Sequence, residues 1–241
     1  MNNSIKKFIS LTEVRNLSFG KDKLIRLTFF DRYLYRPIAH FFLPFLFNFL
    51  RLSPNQISIL SLFSALASLI AFFNLKPYFG VFFLLIWAIL DCADGSLARV
   101  LSAKYKIKNK LGEFFDAYAG YFVAGTIWFN IGNYLFLINN DINFLYLGLI
   151  SSFLAVYARC SYLKINLVLL KNKNYTELND DTNPRYSIIY KIYENLEFGS
   201  ALPILILLSL ILSKLIILLY LYLLLNIALF IWLQKYIYKN C

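Results

Sequence analysis

Charge is scarce in this 241-residue chain: Asp, Glu, Lys and Arg make up 15% of it, whereas apolar residues make up 60%. Together with a mean hydropathy of +0.62, this composition excludes an ordinary soluble domain, in which about a quarter of the residues are charged. Cysteine is scarce too, and Cys92, Cys160 and Cys241 are too scattered for a disulfide framework or a CxxC pair. We interpret them as packing residues in a polytopic membrane protein.

Long apolar runs are what the chain has instead. A helix that crosses the bilayer needs about 20 mostly apolar residues. Six stretches are apolar over roughly such a length, at 56–75, 79–99, 112–138, 142–170, 199–213 and 215–238. The last two are divided only by Ser213 and Lys214, but the length of this Leu- and Ile-rich region favours two passes. The sequence therefore predicts an all-α integral membrane fold with six transmembrane helices.

Basic residues fall on one side of these predicted spans. Lys and Arg concentrate in the N-terminal segment, at 99–110 and after the fourth span, and such enrichment is typical of cytoplasmic loops. Both termini are therefore predicted to face the cytoplasm. The net charge of +11 indicates topology and attraction to anionic headgroups, and no basic soluble domain is apparent that would bind nucleic acid.

The predicted organisation is a cytoplasmic N-terminal segment at 1–52 and a membrane domain at 53–241. Within the first, aromatic and arginine residues at 24–51 predict amphipathic helices that lie in the membrane interface and are broken by Pro37 and Pro44. His40 is interpreted as a polar-face residue of this segment.

The membrane domain is predicted to begin with a helix capped by Ser53, with Pro54 in its first turn.

Three aspartates lie at the predicted cytoplasmic ends of the second and third spans. Asp91 and Asp94 are three residues apart and share a helix face, and the short linker returns the chain so that Asp116 lies near the same membrane edge. A carboxylate within the bilayer costs about 3 kcal/mol on insertion scales, so three of them indicate a function. Hard oxygen ligands in this number suit Mg²⁺ or Mn²⁺.

Neighbouring residues suit a phosphate ligand. Gly95 and Gly112 remove side-chain bulk, and Arg99 offers a fixed cation that forks onto phosphate oxygens. In chain order the set resembles the motif of the CDP-alcohol phosphotransferases (CDP-alcohol phosphatidyltransferases), D-x2-D-G-x2-A-R, a spacer, then G-x3-D-x3-D. The matching residues are Asp91, Asp94, Gly95, Ala98, Arg99, Gly112 and Asp116.

The resemblance implies an activity and roles for the residues. Such enzymes transfer a phosphoalcohol from a CDP-alcohol donor to a hydroxyl acceptor, a lipid or a polyol, and release CMP, as in phospholipid biosynthesis. Their active site opens to the cytoplasm, they hold a pair of divalent metal ions, and they are homodimers. By resemblance the metal ligands are Asp91, Asp94 and Asp116, and the nucleotide-binding residues are Gly95, Ala98, Arg99 and Gly112.

The chain departs from the motif at one residue position and in its spacer, the twelve residues 100–111, which is longer by about a helical turn than the family's usual spacing. Gly120 stands where the family has its fourth aspartate, a metal ligand and proposed general base. Glu113, three residues before Asp116, is the first candidate for a substitute base, with acids of the 172–183 loop (Glu177, Asp180 and Asp181) or water as alternatives. A non-catalytic relative that binds metal and nucleotide is the alternative function.

One cation in the fourth predicted span invites a further role. Arg159 is predicted to bind the phosphate of the donor or an anionic acceptor, because a cation inside a span indicates function. The alternative is that it extends to the interface.

Overall fold

A computed structural model describes residues 8–18, 27–106, 112–171, 195–196 and 200–240. Throughout these ranges the secondary structure is helical, which confirms the predicted all-α class. A π-helical turn, Asp31–Tyr35, leads into the second helix. The α-helices are α1 Leu11–Ser18, α2 Arg36–Asn48, α3 Pro54–Phe73, α4 Pro77–Tyr105, α5 Gly112–Asn139, α6 Asn143–Lys171, α7 Leu202–Ile211 and α8 Leu215–Asn240.

Five helices contain segments long and apolar enough to cross a membrane. The segments are Pro54–Phe73, Pro77–Tyr105, Ala117–Asn139, Asn143–Ser161 and Leu215–Tyr238. They support a multi-pass membrane protein. The segment predicted as the fifth of six spans forms only the ten-residue α7, about 15 Å long at 1.5 Å per residue, so the sixth crossing stays a prediction.

Two predicted helix boundaries are confirmed in detail. α3 begins at Pro54, and the amide of Ser53 donates to Gln56 Oε1 at 2.8 Å while the amide of Gln56 donates to Ser53 Oγ at 3.4 Å. This reciprocal capping satisfies two amides that have no partner within the helix. Ser213, with φ of 55°, separates α7 from α8, as the two-helix prediction requires.

The prediction that Pro37 and Pro44 break the N-terminal helix is wrong. Pro37 lies in the first turn of α2, and Pro44 lies inside a helix that continues to Asn48. A proline removes one backbone hydrogen bond and crowds the carbonyl four residues earlier. The wider π-helical turn before Pro37 is one way to relieve that crowding, and burial of the adjacent Leu43 favours the helix around Pro44.

Contacts divide the chain into two compact units, of which the first is Met1–Ala67 with Phe82–Gly120. Its apolar core joins α1, α2, α3 and α4 through Ile9, Val14, Ala39, Leu43, Ile57, Ala93, Leu97, Val100 and Leu101. The unit thus joins residues from both sides of the predicted domain boundary at 52/53, and that boundary stays a prediction.

The helix α1 was not predicted, although its start carries a Ser-x-x-Glu signal. The amides of Ser10 and Glu13 bond each other's side chains at 2.9 and 3.2 Å. Glu13 also forms an ion pair with Lys104 near the end of α4. The Asn48 side chain bonds the amide and carbonyl of Ile9 at 3.0 and 2.7 Å. The N-terminal segment is therefore fastened to α2 and to the end of α4.

The second unit is Ser68–Val81 with Tyr121–Cys241, and in it α5 and α6 pack antiparallel. They cross at two glycines: a Cβ added at Gly132 would lie 2.5 Å from the carbonyl oxygen of Phe144, and one at Gly148 would lie 2.6 Å from that of Trp128. Both obstacles are backbone atoms. Glycine at these positions allows the close helix approach that is common in membrane proteins.

In the same unit α8 runs parallel to α6. The Asn226 amide donates to the carbonyl of Ser151 at 3.4 Å, and further along both helices the rings of Tyr157 and Phe230 lie 5.0 Å apart. Positions later in α6 thus meet positions later in α8.

We expect Gly132→Ala and Gly148→Ala each to destabilise the protein, because backbone cannot move aside for a methyl group. Overpacking typically costs 1–3 kcal/mol, so the thermal midpoint in detergent should fall by about 5 °C. Gly125→Ala is the matched control, since its Cβ would lie 3.3 Å from Cγ2 of Val156, a side chain. Equal midpoints for all three variants would contradict the glycine crossing.

Candidate active site

The helix α4 carries five of the predicted site residues at spacings that place them on neighbouring turns. Asp91, Asp94, Gly95, Ala98 and Arg99 all lie within its continuous Pro77–Tyr105 span. Side chains three and four residues apart on a helix are neighbours. The predicted common face for Asp91, Asp94 and Ala98 is therefore confirmed at the level of the backbone.

The carboxylate of Asp94 is buried, with 4% of the residue exposed. The hydroxyl of Ser58, the fifth residue of α3, donates a hydrogen bond to Asp94 Oδ2. Such a donor orients a carboxylate and stabilises its charge. Sequence reasoning missed Ser58, yet serines recur at helical spacing in this span, at 58, 61, 64 and 68.

Arg99 folds back along its own helix over Gly95. A Cβ added at Gly95 would lie 3.3 Å from Nη1 of Arg99, so the missing side chain makes room for the guanidinium group. Arg99 Nη2 donates to Ser96 Oγ at 3.2 Å. Gly95 therefore leaves space for the guanidinium group of Arg99. From the sequence we had inferred only that Gly95 removes side-chain bulk.

His40 is buried, and its interpretation as a polar-face residue is wrong: 2% of it is exposed. Its Nε2 lies 3.2 Å from Oγ of Ser18 and 3.2 Å from Oγ of Ser96. Burial, and then the nearby cations Arg36, Arg99 and Arg15, lower the pKa of His40 to about 4. The ring is therefore neutral at neutral pH.

Asp31 is a further acid near the motif, and sequence reasoning did not select it. It begins the π-helical turn, and its Oδ1 lies 3.9 Å from the Cys92 thiol, which donates to it. Cys92 is adjacent to Asp91 in α4, so the turn brings a further carboxylate close to the motif helix. Nothing in the local sequence around Asp31 signals this proximity, which depends on how α2 packs.

The remaining predicted residues of the motif belong to α5. Gly112, Glu113 and Asp116 lie in its first turns, but the side chains of Glu113 and Asp116 fall outside what the structure describes. Gly120 is a buried helical residue one turn after Asp116. The alternative bases Glu177, Asp180 and Asp181 also lie outside the described residues.

Arg159 belongs to the second unit. It is half-buried in α6, and its guanidinium carbon lies 5.8 Å from the ring centroid of Tyr121 in α5, a cation–π distance. Its predicted phosphate or acceptor binding stays a prediction.

The oxygen atoms that this site offers are of the type that binds a divalent metal ion. Asp91 and Asp94 supply carboxylate oxygens, the ligands that Mg²⁺ and Mn²⁺ prefer, and the hydroxyl of Ser58 holds one of these groups in place. Among the side chains that the structure describes, no three acids, histidines or cysteines together could hold a metal ion. The third predicted ligand, Asp116, is not among those side chains.

Comparison with known proteins identifies a family. A family model described as CDP-alcohol phosphatidyltransferase matches residues 51–233, well over half of the 241. Searches of curated proteins and of solved structures gave no match. The family transfers phosphoalcohol groups in lipid biosynthesis. The matched region contains the whole α4 and α5 motif described above, and the chain therefore belongs to the CDP-alcohol phosphatidyltransferase family.

Proposed function

We propose that the protein transfers a phosphoalcohol from a CDP-alcohol to a hydroxyl acceptor and releases CMP, working at the cytoplasmic face of the membrane. The observation that carries the proposal is the family match over residues 51–233. The acceptor oxygen forms a bond to the phosphorus that bears the alcohol. The bond from that phosphorus to the bridging oxygen breaks, and CMP leaves with the electron pair.

The residues of α4 and α5 divide the work. Asp91, Asp94 and Asp116 would hold Mg²⁺ or Mn²⁺, which when bound neutralises the leaving CMP and polarises the attacked phosphorus. Ser58 keeps the Asp94 carboxylate oriented. Arg99 contacts phosphate oxygens from above Gly95.

The acceptor's proton goes to Glu113 in this proposal. Glu113 lies three residues before Asp116, within one turn of α5, and so near the same face. General-base help is typically worth 10²–10⁴ in rate. Asp31 is another carboxylate near the motif helix, because it lies close to Cys92. It is therefore the carboxylate with which Glu113 is compared.

The topology of the proposal has six spans. Neighbouring spans that run in the same direction, as α6 and α8 do, require the chain to cross back between them. The hydroxyl of Tyr222 donates to the carbonyl of Leu196, and Tyr222 lies seven residues into α8, about 10 Å from its start. Leu196, which precedes the predicted bound of 199, therefore lies alongside α8.

The first experiment measures CMP release by purified protein in lipid with Mg²⁺ or Mn²⁺ and a panel of CDP-alcohols. We expect release by the wild type, none by Asp116→Asn, and a loss of 10²–10⁴ in Glu113→Gln if that acid is the base. Asp31→Asn is the matched carboxylate variant.

Gly120→Asp, which restores the fourth aspartate, separates the two functions. Release by this variant alone would support the non-catalytic alternative, in which the chain lacks its base. The absence of CMP release by the wild type and by every variant, with every donor, would contradict the proposed transfer.

Gly95→Ala should impair donor binding without unfolding the protein. The new methyl would lie 3.3 Å from Nη1 of Arg99, and the guanidinium, at the end of a flexible chain, shifts by a few tenths of an ångström. We expect a rise of about tenfold in KM for the CDP-alcohol and little change for the acceptor, since forked phosphate contacts are sensitive to geometry. Arg99→Lys, which keeps the charge but loses the fork, should act alike; an unchanged KM in Gly95→Ala would contradict this role.

Cysteine labelling tests the six-span topology. In a background that lacks the three native cysteines, Asp141→Cys and Lys214→Cys should react with an impermeant maleimide from outside intact cells, whereas Lys106→Cys should react only after permeabilisation. Labelling of the Asp141 and Lys214 positions from opposite sides would indicate five spans.

A further inference from the structure

A chain of polar contacts, buried from Ser18 to Ser96, connects the N-terminal helix to the half-buried Arg99. It runs from Ser18 Oγ in α1 to His40 Nε2 in α2, then to Ser96 Oγ in α4, and each step measures 3.2 Å. Arg99 Nη2 completes it by donating to Ser96 Oγ at 3.2 Å. Ser18 and Ser96 are fully buried and His40 is 2% exposed.

The number of protons on each group determines which group donates and which accepts in this chain. A guanidinium group only donates hydrogen bonds, so Ser96 Oγ is the acceptor towards Arg99. The hydroxyl of Ser96 then has its own proton to give, and the acceptor in reach is Nε2 of His40. A neutral ring accepts that proton in the tautomer that carries its own proton on Nδ1, and the single lone pair of Nε2 is then shared by the hydroxyls of Ser96 and Ser18. A protonated ring has no free lone pair. Burial, and then Arg36, Arg99 and Arg15, disfavour protonation of His40.

Arg99 is a side chain that needs such support. Its rotamers carry about 2 kcal/mol of entropy, and a fork that binds phosphate must be held in one orientation. Ser96 is a neighbour on the same helix, and the direction in which its lone pairs point depends on the group that accepts its own proton. His40 comes from a different helix, in which the adjacent Ala39 and nearby Leu43 are fully buried, and so provides a fixed reference.

We propose that His40 is a positioning residue which, through Ser96, fixes the guanidinium group of Arg99 for phosphate binding, and that Ser18 joins α1 to the same chain. The inference rests on the proposed function for the role of Arg99. It gives the N-terminal segment, which precedes the region matched by the family model, a part in nucleotide binding.

The test is a mutant cycle read out by binding of CMP in the presence of Mg²⁺, using the full-length protein in lipid nanodiscs. His40→Leu and Ser96→Ala should each weaken CMP binding about tenfold. His40→Gln, whose amide also donates and accepts, should restore binding to within about threefold of wild type. Ser64→Ala is the control, because Ser64 makes a similar buried bond to the carbonyl of Phe83 at 2.8 Å outside this chain.

The decisive comparison is made in an Arg99→Ala background. If His40 acts through Arg99, His40→Leu should cause no further loss of CMP affinity there, whereas a general structural effect would add its full loss. Equal losses in both backgrounds, or wild-type binding by both His40→Leu and Ser96→Ala, would overturn the inference. If His40→Leu does not fold, the same comparison is made with Ser96→Ala.

Failure of the underlying function looks different. Wild-type CMP affinity in Arg99→Ala would remove the phosphate-binding role of Arg99, and the inference with it. Weakened binding in Arg99→Ala together with full binding in the His40 and Ser96 variants would overturn the inference alone and leave the proposed function standing.

Discussion

The contact between Asp94 and Ser58 is the interaction on which the site depends. A charged group placed in an apolar environment is costly unless it is hydrogen-bonded, and Asp94 is 4% exposed in a helix of a membrane protein. The donor, Ser58, lies five residues after the cap at Ser53, which is why the capped start of α3 matters. A shift of one residue in the register of α3 against α4 would turn the hydroxyl about 100° away from the carboxylate.

The rest of the unit follows from the faces of α4. Ser96, two residues after Asp94, lies about 160° around the helix, and it meets α2 through His40. The face of α4 that carries Asp94 thus contacts α3, and the face that carries Ser96 contacts α2. Arg99 lies over Gly95 between these two faces, so the helices that secure α4 also define where a phosphate ligand would meet it.

Sequence reasoning succeeded where a pattern is local. Helical class, the cap at Ser53, the break at Ser213 and the face shared by Asp91 and Asp94 all follow from periodicity or turn chemistry within a few residues. Burial of His40 was beyond it, because the partners lie 22 positions before it and 56 after it. Tertiary packing decides whether a histidine among phenylalanines faces water or the core. The residues next to His40 in the sequence do not predict that packing.

The aromatic residues around His40 illustrate the same limit. Phe41, Phe42 and Phe45 are at least half exposed, whereas the histidine beside them is buried. In water the opposite arrangement would be expected. The exposed aromatic face suits a helix that meets lipid. The interfacial location of this segment stays a prediction, and only the placement of His40 on its polar face was wrong.

The loss of the fourth aspartate at Gly120 does not by itself decide against catalysis. A general base contributes 10²–10⁴, whereas enzymes accelerate reactions by 10⁶ or more, so most of the effect in phosphoryl transfer comes from positioning and charge stabilisation. Those terms depend on Asp94 and Arg99. Asp94 is supported by Ser58 of α3, and Arg99 by Ser96 of its own helix, which in turn contacts His40 of α2. Because burial of polar groups costs free energy, a network that reaches Arg99 indicates a protein that uses this guanidinium group to bind nucleotide, and the base at Gly120 is the one part on which the transferase and its non-catalytic alternative differ.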